Sequence, residues 1–170
     1  ILGGHPYIDV RNSLNSFTPN KLKKQLREKL VNESLSYLRN NPTSHDKLEF
    51  EVATTCFSPL CEKMVPRWKD YGFNELEINE ILATYKEHTL TIINGNYIKK
   101  LINKVDKLND SRELFKQKQI SDIELISSLL KDCELNGTRP FSSLARLAFI
   151  GNSFLRSFLG KKAITQVSYD

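Results

Sequence analysis

The spacing of apolar residues through most of this chain is that of α-helices, in which every third or fourth side chain faces the same side. Between residues 18 and 42 this spacing is carried by five leucines: Leu22, Leu26, Leu30, Leu35 and Leu38. Thr18 and Pro19 are typical of a helix start, and Asn41 and Pro42 of a helix end. The sequence therefore predicts a long amphipathic helix between them.

Glycine and proline predict where the next helices bend or stop. A short helix over residues 60 to 71 is expected to bend at Pro66 and to stop at Gly72. Beyond it, apolar periodicity runs from Ile78 to Leu108. Gly95 lies within this stretch, and we expect it either to kink one helix or to separate two.

Two segments have the form of a capping box, in which the cap residue and the third helical residue bond to each other's backbone. One pairs Asn74 with Glu77, and the other pairs Ser121 with Glu124. The helix after Ser121 is expected to end at Gly137. A last helix should then begin around Arg139 and Pro140, and because its body is apolar on nearly all sides we expect it to be the central buried helix.

Two short segments alternate apolar and polar residues with period two, which is typical of β-strands. They cover residues 7 to 13 and 47 to 55. The predicted fold is therefore mainly α, a single central helical domain over residues 1 to 170 with one or two short β-strands.

Length and composition are those of one soluble domain: 170 residues, 39% hydrophobic and 26% charged. The first residue is Ile1 rather than methionine, and we expect the chain to be an internal piece of a longer polypeptide. No apolar run is long enough to cross a bilayer, and no signal peptide is recognisable. Cys56, Cys61 and Cys133 lack metal-ligand spacing, so buried or incidental thiols are favoured and the predicted compartment is the cytoplasm.

The formal charge of +5 is modest. Most of the lysines lie in predicted helices among glutamate and asparagine, which favours a solvated helix face. A nucleic-acid-binding module is not recognisable, so neither nucleic acid nor membrane is a predicted partner. Nucleotide-binding glycine loops and hydrolase or metalloprotease motifs are absent. We therefore expect no complete catalytic machinery, no metal and no cofactor within this segment.

Polar residues concentrate on one face of the first predicted strand. Asp9 and Arg11 share that face, and Ser13 and Asn15 continue it. Such a row can bind a polar ligand with donors and acceptors at fixed spacing, and His5, in the glycine-rich entry to the strand, is a further candidate. The alternative is an Asp–Arg pair that ties the strand to a neighbouring helix, and the spacing favours neither.

A second concentration lies at the start of the last predicted helix. Amide groups at a helix start, together with Arg139 and Arg146, favour an anion such as a carboxylate or a phosphate. Arg146 and Arg156 fall within the apolar helix, where an unpaired charge is costly. We assign Arg139 and Arg146 to a ligand and prefer an internal salt bridge for Arg156.

Four segments carry a family resemblance: residues 3 to 11, 15 to 17, 45 to 51 with Thr55 and Cys56, and 137 to 150. Together they resemble the central region of phosphoenolpyruvate-synthase-like phosphotransferases. Within that group the chain resembles the L-glutamine kinases of bacterial capsule phosphoramidate synthesis. The resemblance spans nearly the whole chain.

The resemblance implies an upstream ATP-grasp domain, which uses ATP and Mg, and a downstream swivelling domain that carries a phosphohistidine. The present segment would then bind or dock the acceptor, for which L-glutamine is the candidate. Our candidate substrate-binding residues are His5, Asp9, Arg11, Asn15, Arg139 and Arg146. The alternative is a non-catalytic helical linker that positions the two neighbouring domains.

Overall fold

The computed structural model describes residues 3–4, 7–59, 61–117 and 120–166. Within them run seven α-helices: α1 Val10–Phe17, α2 Lys24–Asn40, α3 Val65–Asp70, α4 Glu75–Asn94, α5 Tyr97–Lys116, α6 Asp122–Asp132 and α7 Arg139–Gly160. Short 3-10 turns occupy Pro42–Ser44 and Cys61–Met64, and π-helical turns occupy Leu48–Val52 and Cys133–Thr138. The mainly α prediction is confirmed.

The described residues fall into two compact units. The first unit contains those within Ile1–Thr91 and Phe149–Asp170, and the second contains those within Ile92–Ala148. Helix α7 is shared between the two. Within the described part of the chain, no helix is both long enough and apolar enough to span a membrane.

The two predicted β-strands are wrong, since the described residues contain none. Residues 10 to 17 form α1, and residues 48 to 52 form a π-helical turn. The reason is that alternation with period two also places every fourth residue on one face of a helix. Val10 with Leu14, and Leu48 with Val52, use that spacing to reach one apolar cluster.

Helix α2 begins at Lys24, later than predicted, because Thr18 is used elsewhere. The backbone N–H of Thr18 donates to Asn15 O, and its hydroxyl does the same at 2.7 Å, so Thr18 ends α1 instead of opening α2. The predicted end is confirmed, with Asn40 as the last helical residue and Asn41 as its cap.

The core of the first unit joins α2 to α3 and α4. Trp68 and Ile81 have no exposed surface, and they pack with six other buried residues: Leu22, Leu26, Leu30, Phe73, Ile78 and Tyr85. A smaller cluster joins α1 to α2 through Leu14, Val31 and Val52. Apolar burial of this kind is the main favourable contribution to folding, and here it fixes α1 against α2.

Several predicted boundaries are confirmed. Gly72 follows α3 with a φ of 97°, and α4 and α5 are separate helices on either side of Gly95. The capping box at Asn74 has both reciprocal bonds with Glu77, each 2.9 Å long. The capping box at Ser121 is also complete.

The predicted helix end at Gly137 and the central buried position of the last helix are both wrong. The turn Cys133–Thr138 leads directly into α7, and the backbone N–H of Arg139 donates to Glu134 O. Along α7, Phe141 is 70% exposed and Leu155 is 47% exposed. These exposures show that α7 is not a central buried helix.

A candidate anion-binding groove between α1 and α2

A polar groove of about 630 Å³ lies between α1 and α2 in the first unit. The apolar contact of Leu14 with Val31 holds these two helices together beside it. The lining of the groove, called here the α1–α2 groove, consists of Arg11, Asn15, Lys24, Arg27, Glu28 and Asn32. Two of the predicted ligand-binding residues, Arg11 and Asn15, are thus brought together one helical turn apart.

The α1–α2 groove is positively charged. Its lining includes three cations and one carboxylate, which leaves a net charge of +2. The carboxylate, on Glu28, lies 3.9 Å from the Lys24 ammonium, and both side chains are more than half exposed. An exposed pair of this kind is weak, about 0–1 kcal/mol. The groove therefore favours an anion.

Arg11 is held in place by the opposite helix. Its Nη2 donates to Oδ1 of Asn32 on α2 at 2.9 Å. A guanidinium has five N–H donors, so this bond orients Arg11 and leaves most of its donors to other acceptors. The alternative of an Asp–Arg pair is not found among the described residues, and Arg11 instead contacts the neighbouring helix through Asn32.

Arg27 is the most informative residue of the groove. Its Nε is buried and has no hydrogen-bond partner, although a buried polar group left unsatisfied costs roughly 1–3 kcal/mol. Arg27 lies in the first turns of α2, which has no side-chain N-cap bond and no acidic residue in its first turn. An oxyanion in the groove would satisfy both the guanidinium and the positive end of the helix dipole.

Asp9 has a structural role that the sequence analysis missed. It is the N-cap of α1, where its Oδ1 accepts from Asn12 N at 3.0 Å and its Oδ2 accepts from Asn12 Nδ2 at 2.8 Å. Both carboxylate oxygens are therefore used locally, and Asp9 is not part of the groove lining. Within the described residues no ion pair joins Asp9 to Arg11.

The remaining candidates do not line this groove. Arg139 and Arg146 belong to the second unit, whereas the groove is built within the first. Arg139 forms an exposed ion pair with Glu134, and Arg146 is half-buried. His5 lies outside the described residues.

The sequence analysis also missed the half of the groove that belongs to α2. The lysine-rich start of α2 was interpreted as a solvated face, and this holds for Lys21 and Lys23, which pair with Glu87 and Glu80. The available signal was the spacing of Lys24, Arg27 and Glu28. These positions share one face of a helix and lie apart from the apolar face at Leu26 and Leu30.

Comparison with family models, with curated proteins and with solved structures found no match to this chain. Within the described residues no cluster of three or more histidine, cysteine, aspartate or glutamate side chains could hold a metal ion.

Proposed function

We propose that this chain is the acceptor-binding domain of a cytoplasmic, ATP-dependent kinase that transfers a phosphoryl group through a phosphohistidine. L-glutamine is the proposed acceptor, and its α-carboxylate binds in the α1–α2 groove. ATP and Mg bind to a neighbouring ATP-grasp domain, and the phosphohistidine belongs to a swivelling domain of the same polypeptide. The resemblance of four segments to phosphoenolpyruvate-synthase-like phosphotransferases motivates this family assignment.

One observation supports the groove above all others, namely the buried and unpartnered Nε of Arg27, a residue that lines the same groove as Arg11. Two guanidinium groups can hold one carboxylate through charge-assisted hydrogen bonds, which are shorter and stronger than neutral ones. Asn15 adds an amide that can accept from the ammonium or donate to the carboxylate of the ligand. The groove thus offers donors for an amino-acid acceptor in a pocket that its own residues leave unsatisfied.

Steady-state kinetics of the full-length enzyme test this assignment. Arg27→Gln keeps a polar side chain but shortens it and removes its charge, and we expect kcat/KM for L-glutamine to fall roughly tenfold to a hundredfold. That range corresponds to the loss of a charged hydrogen bond worth about 1.5–3 kcal/mol. The ATP dependence of the reaction should be unchanged, because ATP binds elsewhere.

Arg39→Gln is the matched control. Arg39 lies in the last turn of the same helix, is exposed, and does not line the groove. Its variant should keep the wild-type kcat/KM. Wild-type kinetics in Arg27→Gln, or an equal loss in the two variants, would exclude the groove as the acceptor site.

The alternative function is a non-catalytic helical linker that positions the neighbouring domains. Exposed apolar side chains in the second unit favour it, including Ile123 at 80%, Leu130 at 67% and Phe141 at 70% exposure. Large exposed apolar side chains are common at surfaces that contact another protein surface. If the chain is such a linker, Ile123→Asp would impair turnover by the full-length enzyme, whereas Arg27→Gln would not.

A further inference from the structure

The first unit contains a second, smaller cavity, with a volume of about 210 Å³. It lies between the segment from Glu49 to Met64 and the part of α7 that belongs to this unit. The residues that matter for its chemistry are Glu49, Phe50, Thr54, Cys56, Cys61 and Arg156. We refer to it as the Thr54 cavity. None of its lining residues is shared with the α1–α2 groove.

Arg156 is an exposed residue that lines this cavity, and no acidic partner for it occurs in the described part of the chain. Its guanidinium carbon lies 4.5 Å from the centroid of the Phe50 ring, and its Nε donates to Asn152 Oδ1 at 3.2 Å. No ion pair to Arg156 occurs among the described residues, although Glu49 lines the same cavity. The salt bridge preferred from the sequence is therefore not found there, and stacking on Phe50 holds the cation instead.

Thr54 provides a second unsatisfied group. Its Oγ1 is buried and has no hydrogen-bond partner. A hydroxyl can both donate and accept, and most buried hydroxyls are paired. Thr54 and Arg156 line the same cavity, so one bound molecule can contact both residues.

We propose that the Thr54 cavity binds a small carboxylate-bearing molecule, with its carboxylate on Arg156 and a hydrogen bond to the Thr54 hydroxyl. The volume lies below the range of about 300–1,000 Å³ that accommodates drug-sized ligands, so the ligand is a small metabolite. Phe50 and Met64 supply an apolar wall for its carbon skeleton. Glu49 would favour a ligand that also carries an ammonium group.

The proposal is independent of the function assigned to the α1–α2 groove, because the two sites have no residue in common. The cysteines of the protein report directly on whether the Thr54 cavity is occupied. Cys56 and Cys61 line the cavity and are buried free thiols, whereas Cys133 is exposed and lies outside it. A molecule in the cavity should shield the first two thiols and leave Cys133 unaffected.

The experiment measures how fast methyl methanethiosulfonate modifies each cysteine of the full-length protein, with mass spectrometry to resolve the labelled peptides. Propionate and L-alanine are the carboxylate probes, and propionamide is the uncharged control. If a probe must dissociate before the thiols can react, then at a concentration ten times its dissociation constant it slows the labelling of Cys56 and Cys61 about tenfold. Stronger protection by L-alanine than by propionate assigns the ammonium group to Glu49.

Two variants test the anchoring residues. Arg156→Gln should abolish protection by propionate, and Arg156→Lys, which keeps the charge, should retain part of it. Thr54→Val, which keeps the shape and removes the hydroxyl, should weaken protection, whereas Arg39→Gln should not. Equal protection by propionamide, protection that survives Arg156→Gln, or none by either carboxylate would each overturn the proposal. Unchanged labelling of Cys133 and an unchanged circular dichroism spectrum show that each variant is folded.

Discussion

Arg67 on α3 forms a buried ion pair with Glu33 on α2, whose side chain is only 2% exposed. Arg67 Nη2 lies 3.2 Å from Glu33 Oε2, and Nη1 donates to the backbone oxygen of Glu51 at 3.0 Å. The guanidinium also lies 4.3 Å from the centroid of the Tyr37 ring. One side chain therefore joins α2, α3 and the turn Leu48–Val52.

Removing Arg67 should destabilise the first unit strongly. Arg67→Ala leaves the Glu33 charge buried without an opposite charge, and the loss of one member of a buried pair costs about 3–5 kcal/mol. Lys21→Ala is the control, because it breaks an exposed pair with Glu87 that is worth about 0–1 kcal/mol. Urea denaturation measures the free energy of unfolding of both variants. Equal losses would contradict the assigned role of Arg67.

The same pair predicts how stability depends on pH. Burial raises the pKa of Glu33 above its ordinary value of 4.5, and the Arg67 guanidinium offsets only part of this effect. Between 4.5 and the raised pKa the folded state binds more protons than the unfolded state, so this contribution to stability is lost as pH rises through that window. By contrast, hydrogen bonds lower the pKa values of Glu77 and Glu124, whose contributions are lost as pH falls.

Glu33→Gln isolates the contribution of Glu33. The free energy of unfolding of the wild type, minus that of this variant, should decrease as pH rises above 4.5. Glu77 and Glu124 cancel from the difference because both proteins contain them. A difference that is constant with pH, or that increases, would show that the pKa of the Glu33 carboxyl is not raised in the folded state.

Two glycines should respond in opposite directions to alanine. Gly72 has a φ of 97°, in a left-handed region that costs other residues about 1–2 kcal/mol, so Gly72→Ala should destabilise by that amount. Gly151 lies within α7, and an added Cβ there meets no atom within 4 Å. Gly151→Ala should therefore stabilise by about 0.5–1 kcal/mol. Thermal unfolding of both variants checks this, and shifts of the same sign would contradict it.

Local signals in the sequence were sufficient for most of the helices, but not for α1 or for the packing of one helix against another. The capping residues Asn74 and Ser121 and the stop at Gly72 act within a few residues, so their patterns were interpretable directly. The interpretation of residues 7 to 13 as a strand was wrong because Asp9 caps a helix there. The hydrogen bond from the Asn12 backbone to the Asp9 side chain favours the helix, and the alternation of apolar and polar residues does not reveal it.

The candidate groove was only half predictable for a related reason. Arg11 and Asn15 were identified from a strand face, yet they share a face in the helix as well, since four residues make about one turn. Arg27 could not be identified, because its burial depends on α1 packing against α2 through Leu14 and Val31. Such a contact is set by tertiary packing, and the periodicity of α2 alone does not contain it.

Isothermal titration of L-glutamine into the full-length protein tests the acceptor site most directly. The wild type should bind L-glutamine, and Arg27→Gln should weaken the affinity roughly tenfold to a hundredfold, whereas Arg39→Gln should not change it. Equal affinity in the wild type and Arg27→Gln would contradict the claim that the α1–α2 groove holds the carboxylate of the acceptor.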